Sequence, residues 1–230
     1  MTRHLWIVMA VVAILELTAA VELSMGRLLF GPDGRFGWWE GNIWSSGQSQ
    51  RFADPYSFSH VVHGLLFYAL LWLVARRVPV RYRFLTAVLL EAGWEVLENS
   101  PLIINRYRAV TISLGYVGDS VLNSLSDVLM MSLGYLLAAR SRVWVSVALV
   151  VGMELGMLLW VRDNLTLNII MLVHPIEAIR AWQMGGQPVP HSHYAPGRGI
   201  PRSLQIRLTT GVTISVCRGT ALGMRLVGFQ

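Results

Sequence analysis

The chain has 230 residues, of which 54% are apolar and only 14% are charged, against about 25% charged in an ordinary soluble domain. So little charge cannot cover the surface of a water-soluble fold of this size, which argues against a soluble enzyme and for an integral membrane protein. The lone cysteine, Cys217, excludes an internal disulfide and any cysteine-built zinc or iron–sulfur cage. The net charge of +6 does not point to nucleic acid either: every basic residue is an arginine, and five of the nineteen lie after residue 183 in a stretch without acids. That is the pattern of loop arginines plus a basic tail.

A membrane crossing needs about twenty mostly apolar residues. Residues 5–23 supply the first. A short basic start and Thr18-Ala19-Ala20 would also suit a signal peptide, but the apolar run continues past that site, which favours a retained anchor. Residues 58–74, 84–97, 119–139 and 143–161 follow as spans two to five. Residues 165–182 form a weaker sixth, interrupted by His174-Pro175 and Glu177, with an interfacial position as its alternative. The expected fold is an all-α polytopic transmembrane helix bundle of about six spans, filling residues 1–183. Residues 184–230 form a basic, flexible tail, with a faint hairpin alternation around Thr209-Thr210-Gly211 and a His191-Ser192-His193 run.

Loop arginines set the orientation. Arg76, Arg77, Arg81 and Arg83 crowd one short connection, and Arg140 with Arg142 another. By the positive-inside rule both are cytoplasmic, the N-terminus is inside, and six spans return the C-terminus to the same side of the inner membrane. Gly152-x-x-x-Gly156 reads as a helix-contact pattern, and Glu16 as an isolated acid at a helix contact.

The costly residues carry the functional information. Glu91, Glu95 and Glu98 share one helical face at i, i+4, i+7. Seven strong apolar residues in that span contribute roughly −3 kcal/mol to insertion, whereas each central carboxylate costs about 2.5 to 3.5 kcal/mol. The helix therefore needs partners. His60 and His63, at i, i+3, face one way on span two, and Asp119, Asn123 and Asp127, at i, i+4, i+8, form a polar stripe on span four. Glu154 and Arg162-Asp163-Asn164 belong to span five. With the arginine-derived topology most of these groups fall in the outer half of the bilayer, which points to one shared polar site. The candidate catalytic set is His60, His63, Glu91, Glu95, Asp119, Asn123 and Asp127. Of these, His60, His63, Glu95 and Asp127 are the candidate ligands of a divalent metal. Asn123 and Glu95 should meet directly or through water.

Three readings stay open on these residues. The polar network only holds helices together, with carboxylates paired to Arg106, Arg108 or Arg162. Alternatively, it serves an acid/base or metal-dependent enzyme acting on a lipid or isoprenoid-linked substrate, or it couples protons in a small transporter. The partners implied are the lipid bilayer and a lipid-like substrate; no nucleic acid is expected.

The runs D-P-Y-S-F-S-H-V-V-H-G (54–64), E-A-G-W-E-V-L-E-N (91–99), R-Y-R-A-V-T-I-S-L-G-Y-V-G-D-S-V-L-N-S-L-S-D (106–127) and R-D-N-L-T-L-N-I-I-M-L (162–172) resemble a bacterial family of multi-pass inner-membrane proteins that carries an unknown-function name. The resemblance covers about residues 1–183 and implies a helical bundle in the inner membrane, with no activity attached. The Asp119-x-x-x-Asn123 pattern is also loosely similar to VanZ-like glycopeptide-resistance proteins.

Overall fold

The computed structural model describes residues 2–185, 203–207 and 213–217. They fall in two compact units, Met1–Pro188 and Val189–Gln230. In the first unit the helices are α1 (Thr2–Ser24), α2 (Ser57–Ala75), α3 (Val80–Glu98), α4 (Pro101–Val110), α5 (Val121–Arg140), α6 (Val143–Val161), α7 (Leu165–Val173) and α8 (Glu177–Gln183). The described part of the second unit is one antiparallel pair, β1 (Ser203–Arg207) and β2 (Thr213–Cys217), in register from Ser203 opposite Cys217 to Arg207 opposite Thr213. The alternation around Thr209-Thr210-Gly211 thus flanks a real strand pair. The rest of the tail, including the His191-Ser192-His193 run, lies outside the described residues.

Four helices, α1, α2, α5 and α6, are long and apolar enough to cross a bilayer. The fifth long helix, α3, has their length, but its two arginines and three glutamates make it far less apolar. This is the expected helical membrane bundle. Its exposed apolar surface is plain on α6, where Val143 and Leu159 are 81% and 84% exposed and only Met157 and Val161 are buried. The weak sixth segment is broken at His174-Pro175 into α7, of 9 residues, and α8, of 7. At 1.5 Å per residue α7 is only about 14 Å long, roughly half the hydrocarbon thickness. α7 by itself is shorter than a crossing, so the weak sixth segment is the part of the span count that the helices leave approximate.

The core lies where α2, α3 and α5 meet, around Leu71, Ala87, Val88, Val128, Met131 and Tyr135, with Val11, Ile14 and Leu15 of α1 against it. The first helix is therefore packed into the bundle. Its Glu16 is exposed, not at a helix contact. α2 and α5 come close at a pair of glycines that periodicity did not reveal. A Cβ on Gly64 would lie 2.0 Å from the Met131 carbonyl oxygen, and one on Gly134 would lie 2.0 Å from that of Val61. Gly152 and Gly156 have nothing within 4 Å of such a position, so the small-residue pattern in α6 marks no contact within this chain.

One end of the bundle is roofed by the connections 25–56 and 99–120 and by α7. The roof is tied down through helix ends. The first free N–H groups of α5, on Val121 and Leu122, donate to the carbonyls of Leu28 and Leu29, and the Ser120 hydroxyl accepts from Asn123. The start of α7 is held by Glu154 of α6, whose carboxylate accepts from Leu165 and Thr166 at 3.1 Å each, beside the Asn164 cap. That is a structural use for Glu154. Overpacking at the glycine crossing gives a direct check: Gly64→Ala should lower unfolding stability by about 1–3 kcal/mol, whereas Gly152→Ala should leave it unchanged in thermal unfolding of the detergent-solubilised protein.

Candidate functional site

The connection before α2 fixes where its histidines begin. Asp54 accepts from the backbone N–H of Tyr56 at 2.7 Å and of Ser49 at 3.0 Å, and from the Gln48 amide at 3.0 Å. The Asp54 N–H in turn donates to the Ser57 hydroxyl at 3.2 Å. One turn into the helix, His60 and His63 project toward α3, as their spacing predicts. His60 Nδ1 lies 2.6 Å from Glu91 Oε1, and His63 Nδ1 lies 2.9 and 3.1 Å from the two Glu91 oxygens. One carboxylate is thus gripped by two imidazoles.

His60 extends the cluster in two directions. Its Nδ1 is 3.4 Å from Glu95 Oε1, and its Nε2 is 3.8 Å from Asp127 Oδ2 on α5. The Ser57 hydroxyl donates to the other Asp127 oxygen at 3.1 Å. Glu91, Glu95 and Asp127 are all buried, and neither Glu95 oxygen has a hydrogen-bond partner among the described residues. Five of the seven candidates therefore meet on three helices.

The other two share the neighbourhood without joining the cluster. Asp119 precedes α5, accepts from the Tyr116 hydroxyl at 3.0 Å to each oxygen, and has its own N–H bound to Asn99 Oδ1 at 2.7 Å. Asn123 donates to the Arg51 carbonyl at 3.0 Å. It does not hydrogen-bond Glu95 directly, because its amide is committed to the roof, one turn closer to the helix end. Asn99 joins this second network to α1, donating to Glu22 at 3.3 Å and to Ser124 at 3.0 Å.

Arginine pairing does not account for the buried acids. Arg106 donates to the Leu172 carbonyl, Arg108 to that of Tyr116, and Arg162 to that of Trp182. Asp163 is likewise apart from the cluster, held by the Tyr56 hydroxyl at 2.9 Å and the Gln183 amide at 2.9 Å.

Beside the cluster lies a cavity of about 890 Å³, within the size range of small-molecule sites. Its polar wall carries His60, His63, Glu91, Asp119, Asn123 and Asp127, and its apolar wall includes Leu66, Phe67, Leu90, Leu165, Ile169 and Leu172. Glu98, Tyr107 and Tyr116 also line it, and they were not among the candidates. Glu98 was visible at i+7 from Glu91. The tyrosines lie on or after α4, whose start was signalled by Ser100 as N-cap, accepting from Ile103, with Pro101 in the first turn.

The helices and this cluster define a membrane bundle with a His/carboxylate site open to an amphipathic cavity. Comparison with known sequences then gives the family: the chain belongs to the family described as "Protein of unknown function (DUF2585)", which matches residues 22–185. It is 49% identical to a UPF0314 protein of Sphingopyxis alaskensis over 189 residues, 80% of this chain and 97% of that protein. It is 52% identical to one of Paracoccus denitrificans over 170 residues, 74% and 88% of the two chains. A UPF0314 protein of Rhizobium meliloti is 48% identical over 181 residues, 79% and 91%. The VanZ-like resemblance finds no support in these matches. No solved structure matches.

Burial pushes the Asp119 carboxyl up to about 7 from its ordinary 3.8, against the lowering effect of the Tyr116 hydroxyl. The folded protein thus prefers Asp119 protonated. The stability this preference contributes is complete below about pH 4 and is lost as pH rises through 7. Asp119→Asn, which keeps an acceptor for Tyr116, should therefore raise the thermal midpoint relative to the parent at pH 8. The advantage should vanish near pH 4.

Proposed function

We propose that the protein is a bacterial inner-membrane enzyme acting at the polar end of a lipid-type amphiphile, with Asp119 as general base. The cavity carries this reading. A network that only tied helices together would close into tight packing, whereas here an amphipathic space of about 890 Å³ lies beside acid/base groups. An acyl or isoprenoid chain fits the apolar wall, whose Leu66, Leu90 and Ile169 are themselves exposed, and its head meets the His/carboxylate wall. A base with a pKa of about 7 suits proton transfer at neutral pH. Among the described residues the polar wall holds no arginine, which favours a neutral or cationic head group over a bare anion.

The arginines support the orientation. Arg76, Arg77, Arg81, Arg83, Arg140 and Arg142 gather at the end opposite the site, which favours that end as cytoplasmic and the site as lying beneath the outer face. With α7 too short to cross, five crossings leave the N-terminus inside and the segment after α6 outside.

Purified protein in nanodiscs made from a bacterial polar lipid extract, followed by mass spectrometry, tests the reading. Wild type should convert a lipid species, with a rate that rises as pH passes through about 7. Asp119→Asn should lose about 10²–10⁴-fold in rate although it is the more stable protein at pH 8. Identical lipid profiles for the two proteins would sink the proposal.

A further inference from the structure

We infer that the cluster is a divalent-metal site of the zinc class, with His60 Nδ1, His63 Nδ1, Glu91 and Glu95 as ligands and Asp127 as the carboxylate that orients His60. The inference deepens the enzymatic reading and rests on it for purpose, because such an ion would supply activated water at the cavity wall. Its evidence is separate.

The convergence comes first. His60, His63 and Glu91 bring one ligand atom each within 4.8 Å of one another, and so do His60, Glu95 and Asp127. His60 belongs to both sets. Two ligands from α2 at i, i+3 face two from α3 at i, i+4, which is how helical bundles build metal centres between facing helices. Imidazole nitrogen with carboxylate oxygen suits zinc, iron or manganese.

Glu95 is the second, independent observation. Its side chain is 1% exposed, and both its oxygens are buried without a hydrogen-bond partner. An ionised carboxylate in that position needs a positive partner, and among the described residues no arginine pairs with it. A cation beside His60 Nδ1, 3.4 Å away, meets the need. Metal–ligand bonds of 2.0–2.2 Å at a tetrahedral ion hold neighbouring donors about 3.3–3.5 Å apart. The His60–Glu95 separation already matches this. The contacts of 2.6 and 2.9 Å to Glu91 would open by roughly 0.8 and 0.5 Å when an ion replaces the shared protons.

The remaining geometry fits the same assignment. A metal-bound histidine almost always gives its other ring N–H to an oxygen acceptor. His60 turns Nε2 toward Asp127 at 3.8 Å, and Ser57 fixes Asp127 from behind. Glu91 thereby replaces Asp127 in the ligand set expected from the sequence, because Glu91 is the residue both imidazoles touch. His60, His63 and Glu91 line the cavity whereas Glu95 does not, so a bound ion would face the cavity, and water or substrate would join it there by expansion to five-coordination.

The full chain, purified in detergent and stripped with chelator, can be titrated with Co²⁺ as an optical probe. One equivalent should bind with the strong visible absorption of a low-coordinate Co²⁺ site. His63→Ala and Glu91→Gln should each weaken binding at least tenfold, and Asp127→Asn by about 10–100-fold with the stoichiometry kept. Glu95→Gln guards against misfolding: a neutral amide is easier to bury than a carboxylate, so this variant should fold, yet Zn²⁺ should raise the thermal midpoint of wild type and not of Glu95→Gln. No stoichiometric Co²⁺ in wild type, or equal Zn²⁺ shifts in both proteins, overturns the inference. Lipid conversion by the chelator-stripped protein overturns it and spares the enzyme, whereas stoichiometric metal without conversion supports it and refutes the enzyme.

Discussion

The arrangement depends on one buried carboxylate, Glu91, gripped by two imidazoles from the neighbouring helix. In water this contact would be worth little. In the interior of a membrane bundle the alternative is an unpaired acid in hydrocarbon, so the pairing becomes a condition for α3 to reside there. α3 is the long helix least suited to a bilayer by composition, and α2 and α5 supply its polar partners as well as its apolar ones. The glycine crossing at Gly64 and Gly134 belongs to the same logic. It lets α2 and α5 approach at backbone distance one turn from His60, so that Asp127 comes within reach of the ring's far nitrogen.

The roof over the site uses polar groups differently. Glu154, Asp163, Asn164 and Asn99 all satisfy backbone donors or neighbouring side chains, and each is spent on holding a connection or helix end. The cluster residues are not spent in this way. Glu95 has no hydrogen-bond partner among the described residues, and His60, His63, Glu91 and Asp127 face the cavity. The roof groups are committed to backbone donors and neighbouring side chains, whereas the cluster groups pair with one another beside open space.

Much of this was legible in the sequence. Scarcity of charge and the apolar runs sufficed for a helical membrane bundle, and helical spacing put His60 with His63 and Glu91 with Glu95 on single faces. The convergence of the two pairs followed from loop arginines, which brought the starts of α2 and α5 and the end of α3 to one side. What escaped has physical causes. A nine-residue α7 followed by a turn and α8 leaves hydropathy nearly as high as a crossing does. Tyr107 and Tyr116 lie in a stretch with no apolar period, where only the Ser100-Pro101 start signal spoke. Gly64 and Gly134 occur on different helices, and no single-helix pattern pairs them, whereas Gly152 and Gly156 form such a pattern and touch nothing. Asn123 lay on one polar stripe and Glu95 on the facing one, yet the Arg51 carbonyl in the roof takes the asparagine amide in place of a direct bond to Glu95.

The central claim is that His63 and Glu91 stabilise each other inside the bundle, and a double-mutant cycle on unfolding stability measures that coupling directly. His63→Ala, Glu91→Ala and the double variant should be non-additive by about 1–3 kcal/mol, the double variant being far less damaged than the sum of the singles. Additive losses within about 0.5 kcal/mol would mean that the two residues do not meet in the folded protein, and the account of the site would be wrong.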